Sequence, residues 1–192
     1  MNKRLLTILL SVSSISFTLF AEEAAADAWK EDFQDGRRYI VQRIDNDAQK
    51  AANCRKEYKD GALILYYTFD PKSSPKTQGT FAYGIATPIE LKGSTALEIR
   101  YRTPAKGLNN VMTWTYVDAT GKRYGDWTKL PASTDWQTLR IEMDKGGFAG
   151  KKQAKPAPVK LIALDIYSTS KNDGVERSLE IDYIRSPAAT AE

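Results

Sequence analysis

The chain has 192 residues, enough for one domain with a hydrophobic core, and a modest formal net charge of +4. It has no histidine, which excludes Ser-His-Asp and Cys-His catalysis and removes the commonest zinc ligand. Its positive residues are scattered, so we expect no nucleic acid partner. The single cysteine, Cys54, has no internal disulfide partner and is either a buried or reduced thiol or part of an intermolecular disulfide.

Residues 1–26 have the pattern of a secretory signal peptide. A positive start at Lys3 and Arg4 is followed by an uncharged stretch, residues 5–20, and then by several alanines. Cleavage fits after one of three of these alanines, Ala21, Ala26 or Ala28. An uncleaved anchor is the alternative. No later stretch is long enough to span a bilayer, so we predict an exported protein, periplasmic or extracellular, whose mature form has no membrane span.

After this segment the sequence predicts one β-sandwich domain, residues 27–186, with a disordered tail at 187–192. Apolar and polar residues alternate in short stretches rich in β-branched and aromatic residues, a pattern typical of strands with one buried face. The predicted strands are 62–69, 81–89, 96–102, 111–117, 136–143, 159–167 and 179–184. Polar loops with glycine and proline separate them, which indicates an antiparallel sandwich or jelly roll. Segment 47–59 has poor apolar periodicity, and we expect a loop or one short helix there.

The alternation within the predicted strands also assigns faces. In the sixth predicted strand it directs Ile162, Leu164 and Ile166 to the core. In the fourth it leaves two possibilities for Trp114 and Tyr116. Both lie in the core, which their size favours, or both face outward and Trp114 becomes a platform for stacking.

Four segments resemble, in chain order, motifs of carbohydrate-binding modules with the galactose-binding-like jelly-roll fold. They are 29–36 (WKEDFQDG), 59–69 (KDGALILYYTF), 118–143 (with DATG and DWQTLRIEM) and 179–185 (LEIDYIR). The resemblance covers most of the domain and implies an all-β, antiparallel two-sheet β-sandwich. It also implies a protein that is not an enzyme and that binds a polysaccharide or oligosaccharide.

The resemblance further implies a structural calcium ion where the first and last strands meet, with Asp32 and Asp182 as its carboxylate ligands. Calcium takes several oxygen ligands, and carboxylates supply the charge. Gln34 stands where the family often has glutamate. The alternative is that Asp32 caps a turn and Asp182 pairs with a surface cation.

Sugars present apolar C–H faces surrounded by hydroxyl groups, so a binding sheet offers aromatic rings for stacking and polar groups for hydrogen bonds. The outward positions of the predicted strands supply both. If these strands share one concave sheet, Tyr66 and Tyr167 stack against the sugar, and Glu98, Arg140 and Asp165 form hydrogen bonds with it. The alternative is a solvated sheet whose charges form cross-strand ion pairs.

Two more aromatic residues, Tyr124 and Trp127, lie on the loop or strand after Gly121. Loops at the rim of a sandwich often carry residues that bind ligands. We therefore include both among the candidate sugar-binding residues, together with Trp114 in its outward-facing alternative.

Two other functions fit the same architecture. A glycoside hydrolase needs two carboxylates roughly 5 to 10 Å apart, and Glu98, Glu142 and Asp165 are the candidates for such a pair, in a hydrolase or a lyase. No clustered acidic motif marks them. A structural or protein-interaction module of an envelope or extracellular assembly needs no such pair and has protein partners.

Overall fold

The computed structural model describes residues 27–34, 40–43, 52–69, 71, 82–85, 88–145, 155–171 and 173–189. The predicted signal peptide, residues 1–26, and the end of the predicted tail, residues 190–192, lie outside the described residues. The described ranges contain β-strands and one short 3-10 helix, Met143–Lys145. A helix with the length and hydropathy of a membrane span is absent from these ranges.

The strands are numbered β1 to β12 in chain order. Their bounds are β1 Trp29–Glu31, β2 Ile40–Arg43, β3 Ala52–Lys59, β4 Ala62–Phe69, β5 Ala82–Ile85, β6 Ile89–Glu90, β7 Ala96–Arg102, β8 Asn109–Val117, β9 Arg123–Leu130, β10 Gln137–Glu142, β11 Lys160–Thr169 and β12 Glu176–Ser186. The long strands β7, β8, β10, β11 and β12 overlap the stretches where the sequence alternates most clearly.

Two sheets stack to form the sandwich. Sheet I has the strand order β10-β7-β12-β4-β3, and β1 pairs with the end of β12. Sheet II has the order β6-β11-β8-β9, and the separate pair β2-β5 lies beside β11. Among the described residues every pair of neighbouring strands is antiparallel, which confirms the predicted two-sheet antiparallel β-sandwich.

The hydrophobic core lies between the two sheets and is built from alternate residues of each strand. Leu97, Ile99 and Tyr101 of β7 fill it from sheet I, and Trp114 and Tyr116 of β8 fill it from sheet II. Each large apolar side chain buried in this way contributes about 1.5–3 kcal/mol. Because side chains alternate along a strand, burial of one set turns the other set outward on both sheets.

Strand β3 corrects the expectation of a loop or short helix for residues 52–59, whereas residues 47–51 of that prediction lie outside the described residues. The strand pairs with β4 along its whole length, from Ala52 opposite Phe69 to Lys59 opposite Ala62. A two-residue turn joins them, in which Asp60 and Gly61 have φ values of 52° and 75°. Asp-Gly is a preferred sequence for a hairpin turn with two positive φ values, so the turn holds a polar edge strand whose own pattern is weak.

Two further predictions needed correction. Within the predicted strand 81–89, the described residues form two strands, β5 and β6, and β6 begins after Pro88, which cannot donate a hydrogen bond to a ladder. In β11 the register shifts between Leu161 and Ala163, so Leu161 is fully buried and Ile162 is only half-buried. A β-bulge of this kind reverses the alternation on one side of it, which the sequence pattern cannot show.

Candidate functional site

The outward face of sheet I is densely charged, and we call it the charged face. Glu98 lies near its centre on β7 and is only 8% exposed. Arg140 of β10 donates from Nη1 to Oε1 of Glu98 at 3.0 Å, and Arg185 of β12 donates from Nε to Oε2 at 2.7 Å. Arg140 also donates to Glu142 at 2.8 Å, and Arg185 reaches Asp27 at 3.3 Å. Three neighbouring strands are thus linked by one network of ion pairs.

The rest of the charged face follows the same pattern. Arg100 pairs with Asp182 at 2.6 Å, and Arg102 pairs with Glu180 at 2.7 Å, both between β7 and β12. The two guanidinium groups also lie 5.4 and 4.7 Å from the ring centre of Trp136, within the range of cation–π contacts. The arginines of β7 are therefore held by their own neighbours.

Tyr66 lies on this same charged face, on β4. The guanidinium carbon of Arg55 is 3.5 Å from the centre of its ring, and its hydroxyl donates to Glu57 at 3.2 Å. Arg55 in turn pairs with Glu176 at 3.1 Å. One face of the Tyr66 ring is therefore already covered by a cation, and a sugar that stacks on that face has to displace Arg55.

Electrostatics of the charged face agree with this geometry. Burial raises the pKa of Glu98, but hydrogen bonds and charge from Arg185 and Arg140 outweigh it, so the pKa lies below its usual value. A carboxyl held ionised in this way serves as an ion-pair acceptor and is a poor proton donor. The geometry therefore favours the alternative of a solvated sheet with cross-strand ion pairs for Tyr66, Glu98 and Arg140.

The outward face of sheet II differs, and we call it the aromatic face. Its side chains form three rows across strands β11, β8 and β9: Ala163, Thr115 and Gly125; Asp165, Thr113 and Trp127; Tyr167, Val111 and Lys129. Adjacent strands are about 4.7–4.9 Å apart, so the outer members of a row lie about 10 Å apart. The face is thus wide enough for a ligand to touch all three strands at once.

The central row combines the groups that a sugar needs. Trp127 is 38% exposed on the edge strand, Thr113 is half-buried, and Asp165 is 7% exposed at the floor of the face. The half-buried ring of Tyr167 lies in the next row on the same strand as Asp165. Aromatic rings stack against apolar C–H faces, while a hydroxyl and a carboxylate form hydrogen bonds with sugar hydroxyls.

Gly125 lies two residues before Trp127 on β9, and because it has no side chain it leaves a depression in the aromatic face next to the indole. A Cβ atom built on it lies 3.3 Å from both Oγ1 of Thr115 and the carbonyl oxygen of Trp114. Any larger residue therefore has to displace Thr115 and fills the surface above it. Glycine here keeps the middle of the aromatic face open.

One end of the aromatic face leads into a cavity of 380 Å³. Its lining includes Asn109, Val111, Lys129, Pro131 and Thr169. Lys129 and Val111 belong to the third row of the face, so the row and the cavity are continuous. A ligand lying along the face therefore reaches this cavity without crossing a strand.

The structure divides the predicted site residues between the two faces. Tyr66, Glu98 and Arg140 lie on sheet I, whereas Asp165 and Tyr167 lie on sheet II. The hypothesis that they share one concave sheet is wrong, because the outward faces of two stacked sheets point in opposite directions. Of the other predicted sugar-binding residues, Trp127 alone lies on the aromatic face with Asp165 and Tyr167.

The remaining two aromatic candidates point toward the core. Trp114 is 3% exposed and lies in the core cluster, so the alternative in which it faces outward is wrong, and the core placement that its size favoured is confirmed. Tyr124 lies on the inner side of β9, with its ring 5.5 Å from the ring of Tyr116. Burying such large rings is more favourable than exposing them, and the alternation of β8 and β9 allows it.

Asp32 and Asp182 each have a cationic partner. Asp182 pairs with Arg100, and Asp32 accepts from the backbone N–H of Gln34 at 3.3 Å and pairs with Lys30 at 3.5 Å. Among the described residues, no three acidic, cysteine or histidine side chains are grouped as a metal site requires. Two carboxylates held by cations do not fit a calcium site, which takes six to eight oxygens, so calcium rests on the family resemblance alone and is untested.

Sequence reasoning missed four residues of the aromatic face, Thr113, Gly125, Arg123 and Lys129. A signal for them exists in the alternation of residues 123–130, where Arg123, Gly125, Trp127 and Lys129 occupy every second position. These positions share one face of a strand, so the location of Trp127 predicts that of the others.

No protein-family model and no curated protein matches the sequence. Among solved structures, a β-1,3-1,4-glucanase (lichenase) derived from a mouse hindgut metagenome is similar with a TM-score of 0.51 and 16% identity, over 83% of this chain and 99% of that chain. The family 11 carbohydrate-binding module of a cellulosomal cellulase of Clostridium thermocellum has a TM-score of 0.50 and 10% identity, over 88% and 99% of the two chains. This chain therefore has the jelly-roll β-sandwich fold of carbohydrate-binding modules, as its sequence motifs suggested.

Proposed function

We propose that this protein is an exported, non-catalytic module that binds a polysaccharide or oligosaccharide on the aromatic face. The observation that carries the proposal is the central row of that face, where Asp165, Thr113 and Trp127 lie side by side and Tyr167 adjoins them. An exposed indole, a second aromatic ring, a hydroxyl and a carboxylate within about 10 Å are the groups that bind the two chemical surfaces of a sugar.

The charged face supports the same choice by contrast. Its arginines have carboxylate partners at 2.6 to 3.1 Å, and the ring of Tyr66 is covered by Arg55. A ligand binding there has to break ion pairs that the sheet already makes. The aromatic face instead presents Trp127 to solvent, so binding there buries apolar area.

The arrangement of carboxylates supports a non-catalytic role. Of the three acidic residues that the sequence offered for a hydrolase, Glu98 and Glu142 share the cation Arg140 on sheet I, and Asp165 lies on sheet II. A hydrolase needs one carboxyl with a raised pKa opposite a second carboxylate. The pKa of Glu98 is instead lowered by its arginine partners. Export follows from the signal-peptide pattern of residues 1–26 and is part of the proposal.

The test compares two tyrosines and two tryptophans on opposite faces. The purified protein is incubated with insoluble cellulose, xylan, chitin and β-glucan, and soluble oligosaccharides of any polysaccharide bound are titrated by calorimetry. We expect Trp127→Ala and Tyr167→Ala to weaken binding at least about tenfold, the loss expected for one aromatic stack of 1.4 kcal/mol. Trp136→Ala and Tyr66→Ala remove the same side chains from the charged face and serve as matched controls.

Three results contradict the proposal. Loss of binding in Tyr66→Ala with normal binding in Tyr167→Ala moves the site to the charged face. Release of reducing sugar from a bound polysaccharide shows an enzyme. Absence of binding to any glycan by the folded protein supports a structural or protein-interaction module of an envelope or extracellular assembly.

A further inference from the structure

The edge strand β9 carries a regular series of side chains on the aromatic face. Every second residue points to this face, in the order Arg123, Gly125, Trp127 and Lys129. A strand rises about 3.3–3.4 Å per residue, so the two cations are about 20 Å apart along the strand. The exposed indole of Trp127 lies between them, one step from Lys129.

Both cations differ from the arginines of the charged face. The side chains of Arg123 and Lys129 make no ion pair or hydrogen bond with the described part of the chain. The acidic residue of the same strand, Asp126, lies on its other side and pairs with Lys155 at 2.7 Å. Within the described part of the chain, the two positive charges on the edge of the aromatic face therefore have no acidic partner.

The cavity at the end of the face adds a second observation. Lys129 lines it together with Asn109 and Thr169, whose side chains carry an amide and a hydroxyl. A cation beside an amide and a hydroxyl suits an anionic oxygen, because the ammonium supplies charge and the neutral groups donate further hydrogen bonds. Arg123, at the other end of β9, offers the planar guanidinium that binds a carboxylate or a sulfate through two parallel hydrogen bonds.

We infer that the ligand of the aromatic face is an acidic glycan, one whose sugar units carry carboxylate or sulfate groups. This inference rests on the proposed function and specifies its ligand. One anionic group lies at Lys129 and the cavity, a second lies toward Arg123, and the sugar ring between them stacks on Trp127. Asp165, buried across the face on β11, accepts hydrogen bonds from sugar hydroxyls and is separated from the two cations by the intervening strand β8.

The competing explanation is that both cations protect an edge strand. Exposed lysines and arginines on the edge of a sheet hinder pairing with another chain, and this role needs no ligand. The two explanations differ in one measurable way. Edge protection predicts the same affinity for acidic and neutral glycans, whereas a binding role predicts a preference for the acidic form that weakens with salt.

The experiment uses pairs of glycans that differ in charge alone. Affinity of the full protein is measured for polygalacturonate and its methyl ester, and for a sulfated galactan and its unsulfated counterpart, at low and high ionic strength. We expect about tenfold tighter binding of the acidic member of at least one pair at low salt, with most of the difference lost at high salt. The two pairs distinguish a carboxylate ligand from a sulfate ligand.

Charge-removing variants assign the effect to the two cations. Lys129→Gln and Arg123→Gln should each weaken binding of the acidic glycan about 2- to 5-fold and leave the neutral glycan unaffected. Lys59→Gln, an exposed lysine of β3 on sheet I, is the matched control and should change neither.

The outcomes separate this inference from the proposed function. If acidic and neutral glycans bind equally well and Trp127→Ala abolishes both, the proposed function stands and the acidic ligand is wrong. If acidic glycans bind but Lys59→Gln weakens them as much as Lys129→Gln does, the preference comes from net charge and the site assignment is wrong. If no glycan of either kind binds, both proposals fail.

Discussion

Replacing Glu98 by glutamine tests the separation of the two faces. Glu98 accepts hydrogen bonds from Arg140 at 3.0 Å and from Arg185 at 2.7 Å, and its side chain is buried beneath both. The amide of glutamine fits the same space but carries no charge. We therefore expect Glu98→Gln to destabilise the fold and to leave glycan binding on the opposite sheet unchanged.

The magnitude follows from the burial of the two partners. Removing one member of a fully buried ion pair costs about 3–5 kcal/mol, whereas an exposed pair contributes below about 1 kcal/mol. Here the carboxylate is buried, but the arginines are partly exposed, and they keep Glu142 and Asp27 as partners. An intermediate loss of about 2 kcal/mol results, which lowers Tm by about 4–8 °C in a domain of this size.

Thermal unfolding followed by circular dichroism measures this loss. Glu90→Gln is the matched control, because Glu90 pairs with Lys160 at 2.6 Å at an exposed position, and its Tm should change by less than about 3 °C. The pKa of Glu98 is lowered from 4.5 in the folded state. Its ionic contribution is therefore complete above pH 4.5 and is lost as pH falls through the lower folded pKa, so the difference in Tm shrinks there.

Two results refute this reasoning. A Tm for Glu98→Gln that lies within the range of the Glu90→Gln control means that the network adds no more than a surface ion pair. Loss of glycan binding with an unchanged Tm means that Glu98 contacts the ligand, as the one-sheet hypothesis had assumed. In the second case the charged face is the binding surface.

Three further predictions concern the core, the aromatic face and calcium. Burial raises the pKa of Tyr101 and of Tyr116 to about 12. Titration followed by absorbance should therefore show both hydroxyls still protonated at pH 10, the usual tyrosine pKa. The stability that the two residues contribute should fall as pH rises from 10 toward 12. Gly125→Leu fills the middle of the aromatic face, and calorimetry should show loss of glycan binding while circular dichroism shows a folded protein with a slightly lowered Tm. Asp32 and Asp182 already have cationic partners, so adding calcium to protein treated with a chelator should leave Tm unchanged. A rise in Tm would instead establish the calcium site that the family resemblance implies.

Where the sequence alternates cleanly, it predicted the strands and their buried sides. β7 was predicted at its observed bounds, with Leu97, Ile99 and Tyr101 in the core. Such a pattern is local, because burial of one side of a strand is visible in every second residue. The edge strand β3 carries polar residues on most positions, and only the Asp60-Gly61 turn after it indicated a hairpin.

The candidate site was harder to predict because strand pairing is not local. Alternation shows that Tyr66 and Tyr167 each lie on the outward side of their own strand. Both sheets have an outward side, so alternation alone does not assign either tyrosine to a sheet. It does not show that β4 pairs with β12 while β11 pairs with β8. Assigning both tyrosines to one sheet placed residues from two opposite faces, the charged face and the aromatic face, on one predicted binding surface.

The two faces differ in the residues that lie across the strands from their charged side chains. On sheet I the pairing register sets Glu98 opposite Arg185 and Glu180 opposite Arg102, so β7 and β12 carry complementary charges. Opposite charges directly across a sheet stabilise it, and they leave little for a ligand to bind. On sheet II, Arg123 lies opposite Val117 and Lys129 lies opposite Val111. Arg123 and Lys129 therefore have apolar neighbours on β8, and this absence of a cross-strand carboxylate is the reason for proposing a ligand with negative charge.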